Sequence, residues 1–335
     1  MLGRCDPGAG VIPIGAAILV SAVLIAAVLR WPERVPHDRP NERSLHERPI
    51  PRAGGWAIAG GWIAATALGA VAPGLGPGVE PVLHGALGAL FVVSLVDDIR
   101  GLSPLVRLAV QAACGALLAG ALLPDATWLV GAVAVFALVA SANFYNFMDG
   151  SDALAASMTV VGFGAYGAVA AASGAPHASS AAVAAAALPF LATNWPPARV
   201  FLGDAGSVPL GFLAAATGLG GIAAGLWGPW FPLLVFLPFA ADASATLVAR
   251  LLRRERVWRA HRDHHYQRLV RLGAGHRGTL ALYAALMVGC AATAVACAVG
   301  APRAGPWALG AWIAIIALVF AIIDYHWGRR TRTET

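Results

Sequence analysis

The chain has 335 residues, of which 59% are hydrophobic and only 12% charged, with a formal net charge of +6. Soluble domains are roughly 45–50% apolar, so this composition excludes a soluble globular domain and identifies an integral membrane protein. All 23 basic residues are arginine. With no basic patch interleaved with aromatics, that charge points to membrane-adjacent loops and anionic lipid, and no nucleic-acid partner is expected.

The first apolar run, Val11 to Leu29, follows a segment bearing only Arg4 and Asp6 and ends at Arg30. Weak positive charge before it and strong positive charge after it predict a retained first helix with its N-terminus outside, not a cleaved signal peptide. Further runs of spanning length lie near 56–72, 82–96, 104–123, 128–145, 153–173, 179–193, 207–225, 230–250, 279–299 and 306–323. The expectation is an all-α polytopic membrane protein of about eleven transmembrane helices. It forms one domain over 1–335, with kinks near Pro189 and Pro238. Of Cys5, Cys114, Cys290 and Cys297, none makes a C-x-x-C pair and three lie in apolar runs, so neither a disulfide nor a zinc site is expected.

Alternating eleven spans from an outside N-terminus puts every arginine except Arg4 and Arg303 on the inside face or on helix ends facing it. The same alternation places the polar clusters together on that face, in loops near 30–55, 97–104, 143–152, 194–207 and 251–278. The outside connections, such as Ala72 to Pro81 and Ser173 to Ala178, are built of Gly, Pro, Ala and Ser and read as plain connectors. Any chemistry is therefore expected at the cytoplasmic surface. The C-terminus falls on that side as well.

Five segments carry polar groups that apolar surroundings tolerate only with a partner, water or a metal. Asp97-Asp98, followed by Arg100 and by Ser103-Pro104, puts two repelling carboxylates side by side, which calls for a compensating cation; Mg2+ suits oxygen ligands and phosphates. Ser103-Pro104 also reads as a plain helix start. Asn143, Asn146, Asp149 and Asp152 fall within ten residues, and Asp149 and Asp152, three apart at the start of a predicted helix, are expected to face one site beside free backbone N–H groups. Asn194 opens the segment that leads through Arg199 and Phe201 to Gly203-Asp204-Ala205-Gly206, where glycines flank a lone carboxylate and let the backbone approach a ligand. Phe201 is expected to be an exposed aromatic, able to stack on a base or to anchor in the interface. His261, His264, His265 and Arg268 lie in a loop with nine arginines, a set better suited to a diphosphate than to zinc. The first loop, Asp38 to Gly55, contributes Arg52.

Taken together and in this order, the segments resemble the polyprenyl-phosphate N-acetylhexosamine-1-phosphate transferase superfamily. It includes phospho-MurNAc-pentapeptide transferase and the enzymes that initiate O-antigen and teichoic acid chains. The resemblance runs over roughly residues 38–270 and rests on the Asp-Asp pair, the Asn-x-x-Asn-x-x-Asp-Gly-x-Asp motif and the Phe-x-Gly-Asp-x-Gly motif as an ordered set.

It implies transfer of a sugar phosphate from a UDP-N-acetylhexosamine to undecaprenyl phosphate at the cytoplasmic side of a bacterial inner membrane, with release of UMP and dependence on Mg2+, or Mn2+ in its place. It further implies Asp204 as principal metal ligand with Asp149 close by, and Asp97 and Asp98 at the lipid phosphate. Asn194 and Phe201 would hold the uracil, with Asn143, Asn146 and Asp152 completing the pocket. His261, His264, His265 and Arg268 would hold the diphosphate or sugar. Arg52, Arg100 and Arg107 stand where relatives carry lysine, so phosphate neutralisation falls to guanidinium groups. A homodimer is an expectation carried by the resemblance alone.

The His-x-x-His-His-Tyr-Gln-Arg-Leu stretch resembles the O-antigen-initiating subgroup more than the peptidoglycan enzyme. Single displacement and double displacement through an aspartyl intermediate are both open. From another class, an ion-coupled transporter predicts carboxylates distributed through the membrane, whereas only Asp242 lies well inside an apolar run, and the sequence gives no account of it.

Overall fold

The computed structural model describes residues 10–38, 48–72, 75–76, 78–256 and 261–333, the side chains of 331–333 excepted. Arg4, Cys5 and Asp6, most of the first loop (39–47) and Arg259 lie outside the described residues. Every apolar run expected from the sequence is helical. The elements are α1 (Val11–Arg30), α2 (Gly54–Ala67), α3 (Glu80–Arg100), α4 (Pro104–Leu122), α5 (Trp128–Phe147), α6 (Leu154–Ala172) and α7 (Ala178–Asn194). They continue as α8 (Asp204–Ala223), α9 (Trp230–Val235), α10 (Leu237–Leu252), α11 (His265–Leu269), α12 (Gly275–Gly300) and α13 (Gly305–Thr333).

The chain is a multi-pass membrane protein. Among the described residues, eight helical segments are long and apolar enough to cross a bilayer. The others expected to cross are shorter. α2 has 14 residues, α7 has 17, and the run expected at 230–250 is broken at Phe236 into α9 and α10. Pro238 at the start of α10 removes a helical N–H donor at that break.

Local signals set the boundaries. Ser103 caps α4 by accepting from the Val106 N–H (3.3 Å) and Thr127 caps α5 from the Val130 N–H (3.4 Å), each with its first turn unsatisfied otherwise. α3 runs four residues further than expected because nothing breaks it before Gly101, at φ 68°, so Asp97 and Asp98 belong to a helix end rather than a loop.

α6 and α8 form the centre, with 72% and 78% of their apolar windows buried, against 17% for α13. α8 packs on α3 and α5, α6 packs on α7 and α12, and α1 closes on α2 and α7. The N-terminal ends of α2 and α8 touch backbone to backbone: a Cβ on Gly55 would overlap the Gly206 Cα. That contact brings the first loop onto the α7–α8 connection. A two-residue antiparallel pairing of His37–Asp38 with Ile50–Pro51 and a bridge from Arg52 to Phe201 complete it.

Candidate active site

Up-and-down alternation of the helices gathers the C-terminal ends of α3, α5, α7, α10 and α13 and the N-terminal ends of α2, α4, α6, α8 and α12 at one end of the bundle. Four carboxylates and two arginines meet there. Asp97 Oδ2 accepts from Arg107 Nη1 at 2.6 Å, and its Oδ1 accepts from the Leu102 N–H at 2.6 Å. Asp98 is nearly inaccessible. It pairs with Arg52 Nη1 at 3.2 Å and accepts from the N–H groups of Asp204 (3.4 Å) and Ala205 (3.2 Å), so it caps α8 from another helix. Asp204 lies between the two guanidinium groups, 3.7 Å from Arg52 Nη2 and 3.5 Å from Arg107 Nη1. Arg100, by contrast, is exposed at the end of α3 and makes none of the described ion pairs.

Asp149 completes the cluster from the turn after α5. Burial around its carboxyl drives its pKa well above the usual carboxylate range; Arg52 and the Gly203 amide oppose the rise, and Asp204 and Asp98 add to it. Burial alone would lower the Arg52 pKa, but Asp98, Asp204, Asp38 and Asp149 outweigh it and hold the group above its ordinary value. The cluster therefore carries more carboxylate than its arginines neutralise, which is the environment a hard cation relieves.

Beside it, a cavity of about 40 Å3 is lined by Arg107, Gln111, Asn143, Asn146 and Asp204. Asn143 donates to Gln111 Oε1 (2.7 Å) and Asn146 to Ser207 Oγ (3.0 Å), so both amides are ordered along α5 with one turn between them. Gln111 was missed in the sequence reading. A single amide within an apolar span was the signal that could have found it. A second, apolar groove of about 510 Å3 runs between α2, α3 and α8, from Ala205 and Gly206 past Gly88 to Trp62 and His84.

Several expected site residues serve the scaffold. Asp152 does not share a site with Asp149: α6 starts only at Leu154, after Ala153 at φ 62°, and this turn sends the Asp152 carboxylate to the Ala198 N–H (3.0 Å) and to within 3.7 Å of His276 Nδ1. His276, at the start of α12, also lies 3.0 Å from Ser151 Oγ; it was not singled out because nothing in its local sequence marks it. Asn194 is buried, accepting from the Ala153 N–H (2.8 Å) and donating to the Val200 carbonyl (2.8 Å), so both ends of its amide hold the α7–α8 connection against α6. Phe201 is half-buried rather than exposed, its backbone N–H donating to the Pro51 carbonyl (2.8 Å) and its carbonyl accepting from Gly54 (2.9 Å).

The histidine loop is organised by the acid that the sequence left unexplained. Asp242, fully buried on α10, accepts from the backbone N–H groups of His265 (2.9 Å) and Tyr266 (3.0 Å), the first turn of α11. It also accepts from Tyr283 Oη (2.5 Å) and Thr246 Oγ1 (3.2 Å), and lies 3.2 Å from His265 Nδ1. Tyr266 Oη reaches the Phe147 carbonyl (3.0 Å), docking α11 against the Asn146–Asp152 turn. His264 is buried beside Phe147 and stacked on Tyr266. His261 lies 5.0 Å from the His264 ring. Its pKa is pushed down to about 4 by burial, with His264 and Arg250 adding to the effect. Arg268 reaches Asp324 of α13 at 2.6 Å.

The chemistry these groups support is the binding and transfer of phosphate. Arg52 and Arg107 supply guanidinium donors beside carboxylates suited to a metal, and the histidine loop stands against the same turn that carries Asp149.

The chain is similar to known proteins along most of its length. Residues 81–222, from α3 to α8, match the signature of Glycosyl transferase family 4. The chain is 26% identical over 259 residues to a probable undecaprenyl-phosphate N-acetylglucosaminyl 1-phosphate transferase of Bacillus subtilis, covering 72% of this chain and 71% of that protein. It is 28% identical over 337 residues to a decaprenyl-phosphate N-acetylglucosaminephosphotransferase of Mycolicibacterium smegmatis, covering 84% and 82%. A phospho-N-acetylmuramoyl-pentapeptide-transferase of Gloeothece citriformis is 31% identical over 147 residues, covering 38% and 40%. The superfamily that the ordered motifs resemble is the one to which these comparisons lead.

Proposed function

We propose that this chain, which matches the Glycosyl transferase family 4 signature and is similar to polyprenyl-phosphate N-acetylglucosamine-phosphate transferases, transfers an N-acetylhexosamine 1-phosphate from a UDP-sugar to undecaprenyl phosphate and releases UMP. The observation that carries the reading is the placement of Arg52 and Arg107 between Asp97, Asp98 and Asp204, at the end of an apolar groove. A soluble sugar nucleotide and a lipid phosphate meet only at a membrane surface, and the site lies at one end of the bundle. The arginine distribution favours the cytoplasmic face of a bacterial inner membrane.

Phosphoryl transfer is catalysed chiefly by positioning and charge neutralisation. An oxygen of the lipid phosphate attacks the phosphorus that bears the sugar and stays bonded to it in the product, the bond from that phosphorus to the bridging oxygen of the UDP-sugar diphosphate breaks, and UMP departs carrying the bridging oxygen. Arg52 and Arg107 hold phosphate oxygens and neutralise their charge. Asn143 and Asn146 order the wall beside Asp204.

Asp204 and Asp149 would hold Mg2+. Among the described residues no three acidic, histidine or cysteine side chains are arranged as a metal site, but Mg2+ needs only one or two carboxylates together with waters and substrate phosphates. The ion would supply charge neutralisation on the transferring phosphate.

The donor is read as an N-acetylhexosamine nucleotide feeding cell-surface polysaccharide synthesis. Matches to N-acetylglucosamine-phosphate transferases run along most of the chain, whereas the muramoyl-pentapeptide match covers 38% of it. The experiment is incorporation of radiolabelled sugar into butanol-extractable lipid by membranes carrying the chain, with and without EDTA. Chelator-sensitive label from a UDP-N-acetylhexosamine supports the reading. Label only from the muramoyl-pentapeptide nucleotide moves it to peptidoglycan, and none from any donor refutes it.

A further inference from the structure

The last helix ends on the histidine loop. Phe320 and Asp324 lie one turn apart on α13, on one face. Phe320 stacks on the His265 ring, with centroids 3.9 Å apart and planes at 7°. Asp324 Oδ1 lies 3.4 Å from His265 Nε2 and accepts from Arg268 Nη1 at 2.6 Å, so one carboxylate oxygen serves two side chains three positions apart on α11. The other ring nitrogen of His265 faces Asp242 at 3.2 Å. His265 thus has one ring face and both nitrogens in contact within the protein.

Arg268 is different. Asp324 takes one of its five N–H donors, and among the described residues its buried Nε has no hydrogen-bond partner. A single contact of this kind holds one Nη of the guanidinium in place and leaves donors for an anion. Asp324 itself is half-exposed, so its ion pair contributes little to folding. α13 is held to the loop in other ways: Arg271 stacks over Trp327 at 4.6 Å, and Arg330 donates to the Arg271 carbonyl.

We propose that Asp324 is a positioning residue of the donor site: by holding Arg268 and His265 it orients the guanidinium toward the diphosphate of a nucleoside-diphosphate sugar. The C-terminal end of the last helix, beyond the region that carries the family signature, then belongs to the site. This rests on the transferase reading above.

The test uses the full chain in detergent, with UDP and Mg2+ as the binding probe in calorimetry and UMP release for kinetics. Asp324→Asn is expected to weaken UDP binding and raise the donor KM, each about tenfold, with kcat within about twofold and the unliganded melting temperature unmoved. Asp324→Glu is expected to recover most of the loss. In an Arg268→Ala background Asp324→Asn adds nothing further. Wild-type UDP affinity in Asp324→Asn overturns the proposal, as does an undiminished effect in the Arg268→Ala background, or a variant that does not fold, since a positioning carboxylate is not needed for folding. Wild-type protein that binds no UDP refutes the transferase reading itself.

Discussion

The apolar groove between α2, α3 and α8 reaches Ala205 beside the phosphate site, and we propose that it seats the isoprenoid tail of the acceptor, a prediction whose size can be worked out. Gly88 lines it, and a Cβ built there meets no described atom within 4 Å, so Gly88→Leu starts its side chain in open space at the groove. Replacing glycine in mid-helix by leucine also favours the helix by about 0.8–1 kcal/mol, so folding should not suffer. An isoprenoid tail displaced from the groove enters lipid, not water, and the aqueous-transfer value of about 0.8 kcal/mol per CH2 therefore does not apply. What is lost is dispersion contact. About ten carbon pairs at ~0.1–0.2 kcal/mol each amount to about 1–2 kcal/mol, or about five- to thirtyfold in acceptor KM. The assay is UMP release against undecaprenyl phosphate, repeated with a short-chain prenyl phosphate that does not reach Gly88. The account predicts a raised KM for the long acceptor, with the short acceptor and the donor unchanged. An unchanged KM for the long acceptor would refute the assignment of the groove, and an equal rise for the donor would point to damage at the phosphate site.

Other consequences follow from the buried network. Asp242→Ala leaves two backbone donors, Tyr283 and Thr246 without their acceptor and should destabilise the protein by about 3–5 kcal/mol, read as a shift in the SDS unfolding midpoint; a shift below about 1 kcal/mol would deny it the anchoring role. His261 has a native pKa of about 4 against an ordinary value of 6.5, so between those values the unfolded chain binds more protons and stability falls as pH is lowered through that window. His261→Asn should flatten the decline in melting temperature between about pH 6.5 and 4, and an unaltered slope would assign the acid sensitivity elsewhere. Gly55→Ala forces α2 away from Gly206 and should cost about 1–3 kcal/mol and lower activity through Arg52, two residues before α2 begins; full activity and stability would show that the two helix ends can separate freely.

Much of the architecture was legible because each helix carries its own evidence. Apolar length, the caps Ser103 and Thr127, and the one-sided arginines are local properties, and the alternation they imply is what gathers the polar ends. The carboxylate cluster was legible for the same reason: Asp97, Asp98, Asp149 and Asp204 stand at the ends of runs on one side. The uses of individual polar groups were not legible, since they depend on partners far away in sequence. Asn194 and Asp152 look like ligands by motif, yet they hold backbone amides of Ala153 and Ala198. Asp242 looked like a stray charge in a span until α11 was placed upon it. Asp324 and His276 had no local signature, because the groups they touch lie 56 and 125 positions away.

The central claim is phosphate transfer at a carboxylate and arginine cluster, and the most direct measurement is UMP release by the purified full-length chain. It is given undecaprenyl phosphate, Mg2+ and a panel of UDP-N-acetylhexosamines, with Asp204→Asn assayed beside it. The account predicts release that requires both lipid phosphate and metal, and a loss of at least about a hundredfold in the folded variant. Release that persists in Asp204→Asn, or none with any donor from protein that is folded, would contradict it.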